Sequence, residues 1–256
     1  MSDDATTGAA GAAPEVVVQP SADELAQSTA DRTTAALAAA ITARGVAHLV
    51  VTGGGILEQV LAALAPRAEA LDWSAVHVWW GDERWVPADS EDRNDRPARA
   101  KLFDRVPVDP AKLHPMPAAD AGFDDAEAAA QAYAAALAEA ADGADTPAFD
   151  VVLLGIGPDG HCASLFPGHP GTAVLDRSVI AVHDSPKPPP DRLSLTFPAL
   201  DAAREIWFVA SGSGKAEAVA RAVAGADRTE VPSAGPRGRE RTLWLVDEDA
   251  AAGLES

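Results

Sequence analysis

Apolar positions along this chain alternate between two rhythms, one of helices and one of strands. Ser21 and Glu24 have the spacing of a capping box ahead of the Ala-rich residues 25–43, and Gly45 is placed to end that helix. VAHLVVT (46–52) is a β-branched run that predicts a buried strand, followed by Gly53-Gly54-Gly55 and helical spacing over 56–64. The order then repeats. AVHVWW (75–80) predicts a strand running into the polar loop GDERWVPADSEDRND, with helices expected over 96–103 and 124–141. FDVVLLG (149–155) predicts a central strand followed by a Gly-rich turn at 155–160. Strands are also expected at 178–182 and 193–197, on either side of SPKPPPD. EIWFVA (205–210) leads into SGSGK and a helix over 216–224, and RTLWLV (241–246) closes the pattern.

Strands alternating with helices predict a three-layer α/β/α sandwich with a mostly parallel, Rossmann-like sheet. The strands are nearly continuous apolar runs, as expected when helices cover both faces. Trp79 and Trp80, as neighbours on one strand, are expected on opposite faces. Ligands of such sheets bind beyond the carboxyl ends of the strands, so the loops after Thr52, Trp80, Leu154 and Ala210 are the candidate site. Residues 1–14, acidic and small, are expected to be a disordered leader, and 15–256 a single α/β domain.

Charge narrows the function. A formal net charge of −19 over 256 residues argues against nucleic acid, and an anionic substrate must be met by cations gathered locally. One cysteine, Cys162, rules out an internal disulfide and a Cys-rich metal site, and it suits a reducing compartment. No run approaches the ~20 apolar residues of a membrane span, and the N-terminus lacks a signal-peptide pattern. A cytoplasmic monomer without membrane or nucleic-acid partners is the expectation.

Gly155-Ile156-Gly157-Pro158-Asp159-Gly160 has the letters of a dinucleotide fingerprint. An acidic Asp159 where pyrophosphate would lie argues against that use. The alternative is Asp159 with His161, a carboxylate fixing the tautomer of an imidazole able to take a proton from water. A lone D-x-H is more often structural, but its place in a glycine turn at a strand end favours function. Gly53-Gly54-Gly55 offers bare N–H groups and a helix start to a phosphate, or is merely a tight turn. Lys215 begins a helix, where a cation is unfavourable unless an anion intervenes. Arg192 and Arg84 open and close strands, and each has the bland reading of an exposed or salt-bridged arginine. Ser164 lies near His161 but lacks the G-x-S-x-G elbow of a nucleophile. Asp82, Asp159 and His161 do not have the spacing of a metal site.

Taken in order, TGGG (52–55), WGDER (80–84) with Val86-Pro87 and Arg93-Asn94, GIGPDGHCASLFPGHP (155–170), SPKPPPDRLSLT (185–196) and GSGK (212–215) resemble the 6-phosphogluconolactonase family. The resemblance runs from about Val16 to Val246. It implies a fold shared with glucosamine-6-phosphate deaminase and ribose-5-phosphate isomerase. It also implies hydrolysis of 6-phosphogluconolactone to 6-phosphogluconate, a step of the oxidative pentose phosphate pathway, with no cofactor. By position it implies His161 as general base, Asp159 as its orienting group and Arg84 beside the lactone. Gly53, Gly54, Arg192 and Lys215 would hold the phosphate, with Gly55 and Asp82 also facing substrate. The deaminases continue the DGH segment with a glutamate where this chain has Phe166, which favours the lactonase. Two departures stand out: Cys162 replaces the usual threonine, and TGGGIL replaces a hydroxyl-bearing loop. A non-catalytic sugar-phosphate sensor is the rival from another class, and retention of Asp159 with His161 argues against it.

Overall fold

The protein is described here as a computed structural model covering residues 14–254. Apart from Pro14, the expected leader lies outside the described residues.

Ser21 caps the first helix, α1 (Ala22–Arg44), its Oγ accepting the Glu24 N–H at 3.2 Å and donating to Glu24 Oε2. Gly45 ends it in the left-handed conformation at φ 76°. The main sheet contains β1 (Glu15–Gln19), β2 (Ala47–Val51), β3 (Val76–Trp80), β5 (Leu113–His114), β6 (Val151–Gly155), β9 (Glu205–Ala210) and β10 (Arg241–Asp247). Its order is β1-β10-β9-β6-β2-β3-β5, and every pairing is parallel. The α/β sandwich with a parallel, Rossmann-like sheet is therefore as the alternation predicts.

Several elements differ from the sequence expectation. Asp82–Arg84, expected as loop, forms β4, which pairs antiparallel with β8 (Arg192–Leu195). β8 pairs in turn with β7 (Val179–Val182). The two strands flanking the proline loop thus belong to a separate antiparallel sheet. Residues 96–103 do not form one α-helix: a turn of α3 (Asp95–Ala98) passes into a π-helical turn, Arg99–Phe103. The edge strands β1 and β5 are also additional, and their apolar runs are too short for periodicity to reveal.

Helices α1 and α2 (Gly55–Leu64) pack together against β2, β6 and β10. Helix α4 (Ala126–Glu139) covers another face, where its Tyr133 hydroxyl accepts from Trp80 N–H at 2.9 Å and donates to carbonyl oxygens of Trp80 or His114. Trp79 and Trp80 do lie on opposite faces. Trp79 stacks on His114, and Trp80 meets Phe103 edge-on. Both are fully buried. An indole of this size contributes on the order of 2–3 kcal/mol when fully buried.

Topology fixes the site. The chain moves outward from β2 through β3 to β5, and from β6 through β9 to β10 in the other direction. The direction reverses between β2 and β6, the place where such sheets open a crevice at their carboxyl edge.

Candidate active site

The loops after β2, β3, β6 and β9 converge on that crevice and enclose a cavity of about 440 Å³. Its walls carry Gly53, Gly54, Gly55, Asp82, Arg84, His161, Lys187, Arg192 and Lys215. Every residue assigned a catalytic or binding role from the sequence is at this cavity or, for Asp159, in direct contact with one that is.

Thr52 joins the two central loops: its Oγ1 donates to Leu153 O at 3.1 Å and accepts from Gly155 N–H at 3.3 Å. The turn after β6 is closed by Gly157 N–H to His161 O and Gly160 N–H to Gly157 O. The absence of a side chain at Gly157 is what admits the histidine. A Cβ there would lie 2.0 Å from His161 Nδ1 and 2.3 Å from Asp159 Oδ1. His161 Nδ1 sits 2.6 Å from Asp159 Oδ1. Burial alone would raise the Asp159 carboxyl, but the hydrogen bonds and charges of His161 and Lys187 hold it well below the usual carboxylate range. Asp159 is therefore ionised, so Nδ1 carries the proton that it donates. No helix starts after this turn; a short bridge between Cys162 and Leu165 follows instead. The anion-binding element of a dinucleotide site is thus missing.

Behind the imidazole lies Phe166, fully buried, with ring centroids 4.7 Å apart. Cys162 is also fully buried, and burial pushes its thiol up, so it remains S–H. Ser164 is turned away from the histidine: its Oγ donates to Asp82 Oδ2 at 2.7 Å, and its N–H bonds Ser194 Oγ. Ala163, in the left-handed region at φ 47°, makes the bend that directs Ser164 inward.

The acidic neighbour of Asp82 has a structural task. Glu83, fully buried, accepts the backbone N–H groups of Arg84, Asn94 and Asp95 at 2.7–2.9 Å, with the Arg93 guanidinium at 3.6 Å. Burial nevertheless pushes its carboxyl up to about 7. This anchor places Asn94 against Gly53, where a Cβ would come within 2.0 Å of Asn94 Oδ1. Arg84 donates to Asp92 O, while its buried Nε has no partner among the described residues.

The cations differ in their commitments. Arg192, 5% exposed, donates Nε to Pro189 O and Nη2 to the carbonyls of Lys187 and Pro188, and it lies over the Phe166 ring. Nη1 alone is left for a ligand. Burial, and then the nearby Lys187, depress the Lys215 ammonium. The loop carrying Lys215 is tied down by Asp247, which accepts from Ser211 Oγ at 2.6 Å and from Gly212 N–H. Two residues were not singled out from sequence. Asp247 ends a strand with no local motif to signal it. Lys187 stands inside the quoted SPKPPPD segment, where its prolines predicted only a loop. In the structure Lys187 Nζ donates to Asp159 Oδ1 at 3.1 Å and lies 3.0 Å from His161 Nδ1.

Among the described residues no three His, Cys, Asp or Glu side chains are grouped as metal ligands, and no helix is long and apolar enough to cross a membrane. The arrangement is a carboxylate-oriented imidazole opening on a small cavity ringed by cations, a site for a compact anionic molecule attacked by water or relieved of a proton.

Comparison with known proteins agrees. Residues 20–244 match the family described as glucosamine-6-phosphate isomerases/6-phosphogluconolactonase. The Streptomyces coelicolor 6-phosphogluconolactonase is 49% identical over 94% of this chain and 95% of its own. The Mycobacterium tuberculosis 6-phosphogluconolactonase is 49% identical over 94% of this chain and 98% of its own. The crystal structure of the Thermotoga maritima 6-phosphogluconolactonase superposes with a TM-score of 0.80 at 26% identity, covering 92% of this chain and all of that one. A monomeric glucosamine-6-phosphate deaminase, at 21% identity and TM-score 0.77, shares the fold. Fold and site thus define a sugar-phosphate enzyme of the isomerase-like superfamily. Within it the chain belongs to the 6-phosphogluconolactonase family, whose members are carboxylic ester hydrolases.

Proposed function

We propose that the protein hydrolyses 6-phospho-D-glucono-1,5-lactone to 6-phospho-D-gluconate by His161-assisted attack of water. The observation that carries this reading is the Asp159–His161 pair, 2.6 Å apart, at the mouth of a cavity ringed by Arg84, Arg192 and Lys215. With its proton on Nδ1, His161 has the lone pair of Nε2 for a water proton. The hydroxide so formed adds to the lactone carbonyl, and the electron pair moves onto the carbonyl oxygen. Arg84, whose side chain lines the cavity, stabilises that oxyanion. Collapse breaks the bond to the ring oxygen, which takes the proton back from the imidazolium and leaves as the C5 hydroxyl.

At the far end Lys215, the Nη1 of Arg192 and the backbone N–H groups of Gly53, Gly54 and Gly55 hold the phosphate, with Asp82 toward the sugar hydroxyls. Binding there orients the carbonyl over the base. A lactone is already an activated ester, so base assistance and charge stabilisation suffice and no residue need be acylated. Ser164, committed to Asp82, fits that reading. Phe166 leaves no carboxylate where the deaminases have one. Incubation with the phosphorylated lactone and with glucosamine 6-phosphate tests the assignment: only the lactone is consumed faster than in buffer, and ammonia release from the amino sugar would overturn it. The same proposal places a monomer in the cytoplasm, checked by gel filtration and cell fractionation.

A further inference from the structure

Lys187 belongs to none of the roles above, yet it is the cation nearest the base. We propose that Lys187 is a third member of the reaction centre, a positioning residue whose ammonium pins Asp159 against His161 and cancels the carboxylate charge beside an anionic substrate. The proposal rests on His161 acting as the base.

The geometry leaves few other tasks for it. Asp159 Oδ1 is shared between His161 Nδ1 at 2.6 Å and Lys187 Nζ at 3.1 Å, so both hydrogen bonds converge on one oxygen. Lys187 Nζ stands 3.0 Å from Nδ1, and two donors facing one another do not bond. The ammonium therefore directs its proton to the carboxylate, as Nδ1–H does. Together they hold the imidazole in the tautomer that leaves Nε2 unprotonated. Without the ammonium, Asp159 Oδ1 loses one of its two donors, and the carboxylate charge stands unneutralised beside an anionic substrate in a protein already at −19.

The chain gives Lys187 a fixed backbone. Its N–H and C=O both meet Ser185 Oγ, at 3.3 and 2.9 Å, and Arg192 Nη2 donates to the same carbonyl at 3.0 Å. Much of the Arg192 guanidinium is thus spent on the loop that presents Lys187. A lysine holding phosphate needs no such tether to the base.

Two substrates separate the roles. Lys187→Met is assayed on the phosphorylated lactone and on plain glucono-1,5-lactone, beside Lys215→Met. For Lys187→Met, kcat is expected to fall on the order of 10- to 100-fold on both lactones, the loss of one charge-assisted hydrogen bond. Lys187→Arg recovers part of that loss. Lys215→Met raises KM on the phosphorylated lactone only. Nitrogen-15 spectra of the His161 ring give a readout independent of turnover: one Nδ1–H tautomer in the parent, a mixture in Lys187→Met. A Lys187→Met defect confined to KM for the phosphorylated lactone, with the tautomer unchanged, would overturn the proposal and make Lys187 a phosphate ligand. If His161→Ala retains near-parental activity, the underlying reading fails instead, and the two failures are distinguishable.

Discussion

The two ends of the parallel sheet hold similar residue types and use them in opposite ways. At the amino ends, a cavity of about 690 Å³ is lined by Arg44, Arg177, Arg204 and Arg239 together with Asp142, Asp145, Asp150 and Asp176. It is larger than the cavity at the carboxyl ends, but most of its charges answer one another. Asp150 takes Arg44, the His48 N–H and, at 3.6 Å, Arg204; Arg204 also bonds Glu240, and Arg177 bonds Asp176. Beside it His48, His77 and His114 stack with Trp79, His77 Nδ1 lying 3.0 Å from His114 Nε2 and Trp79 Nε1 donating to His48 Nδ1. At the carboxyl ends, Arg84 Nε and Arg192 Nη1 have no protein acceptor among the described residues, and burial and then the charge of Lys187 depress the Lys215 ammonium. Arg204 Nε at the amino end also lacks a hydrogen bond, though it lies 3.6 Å from Asp150. The carboxyl-end cavity differs in that Arg84, Arg192 and Lys215 have no carboxylate within ion-pair distance among the described residues.

Substitutions at the two ends should therefore separate activity from stability. Short of removing His161 itself, the largest effect is expected at Gly157. In Gly157→Ala the new methyl occupies the place of the imidazole edge and drives His161 off Asp159, so kcat falls about 100-fold while the melting temperature changes little. Steady-state kinetics with a thermal melt check this. Next comes Lys215→Met, for which KM on the phosphorylated lactone rises about 10- to 50-fold at nearly constant kcat, the signature of lost ground-state binding.

The converse holds at the amino ends. Asp150→Ala leaves Arg44 and Arg204 without their buried partner and costs about 2–3 kcal/mol of stability, with kcat/KM within about twofold of the parent. Urea unfolding of the variant measures it. The smallest effect is a pH slope. Burial, and then the proximity of His77, push His48 and His114 each down to about 4 from an ordinary 6.5. Below pH 6.5 the unfolded chain takes up protons that the folded stack refuses, so stability declines as pH falls from 6.5 toward 4. Glu83, raised to about 7, contributes with the opposite sign over the same range, so the stack is read as a difference. Between pH 7 and pH 5 the melting temperature of His114→Gln should fall less, or rise more, than that of the parent.

These two ends were not equally legible in the sequence. Glycine and polar residues after Thr52, Trp80, Leu154 and Ala210 marked the carboxyl-end loops, because a parallel sheet puts all such loops on one edge. The amino-end network was invisible, since His48, His77 and His114 lie 29 and 37 residues apart and meet only through strand pairing. The same reason hid β4: Asp82–Arg84 carries no apolar alternation, and its partner β8 is more than a hundred residues away. Lys187 and Asp247 were missed because each acts on a residue from another loop, Lys187 on Asp159 and Asp247 on Ser211. Phe166 was legible as a missing carboxylate, but its packing beneath His161 and Arg192 was not.

The central claim is that the imidazole of His161 is the base at the carboxyl-end cavity. It is tested most directly by following loss of 6-phosphogluconolactone, corrected for spontaneous hydrolysis, with the parent protein and with His161→Ala at equal concentration. The account predicts that kcat falls at least about 1000-fold in the variant while its melting temperature stays within a few degrees of the parent. Activity within about tenfold of the parent would contradict it.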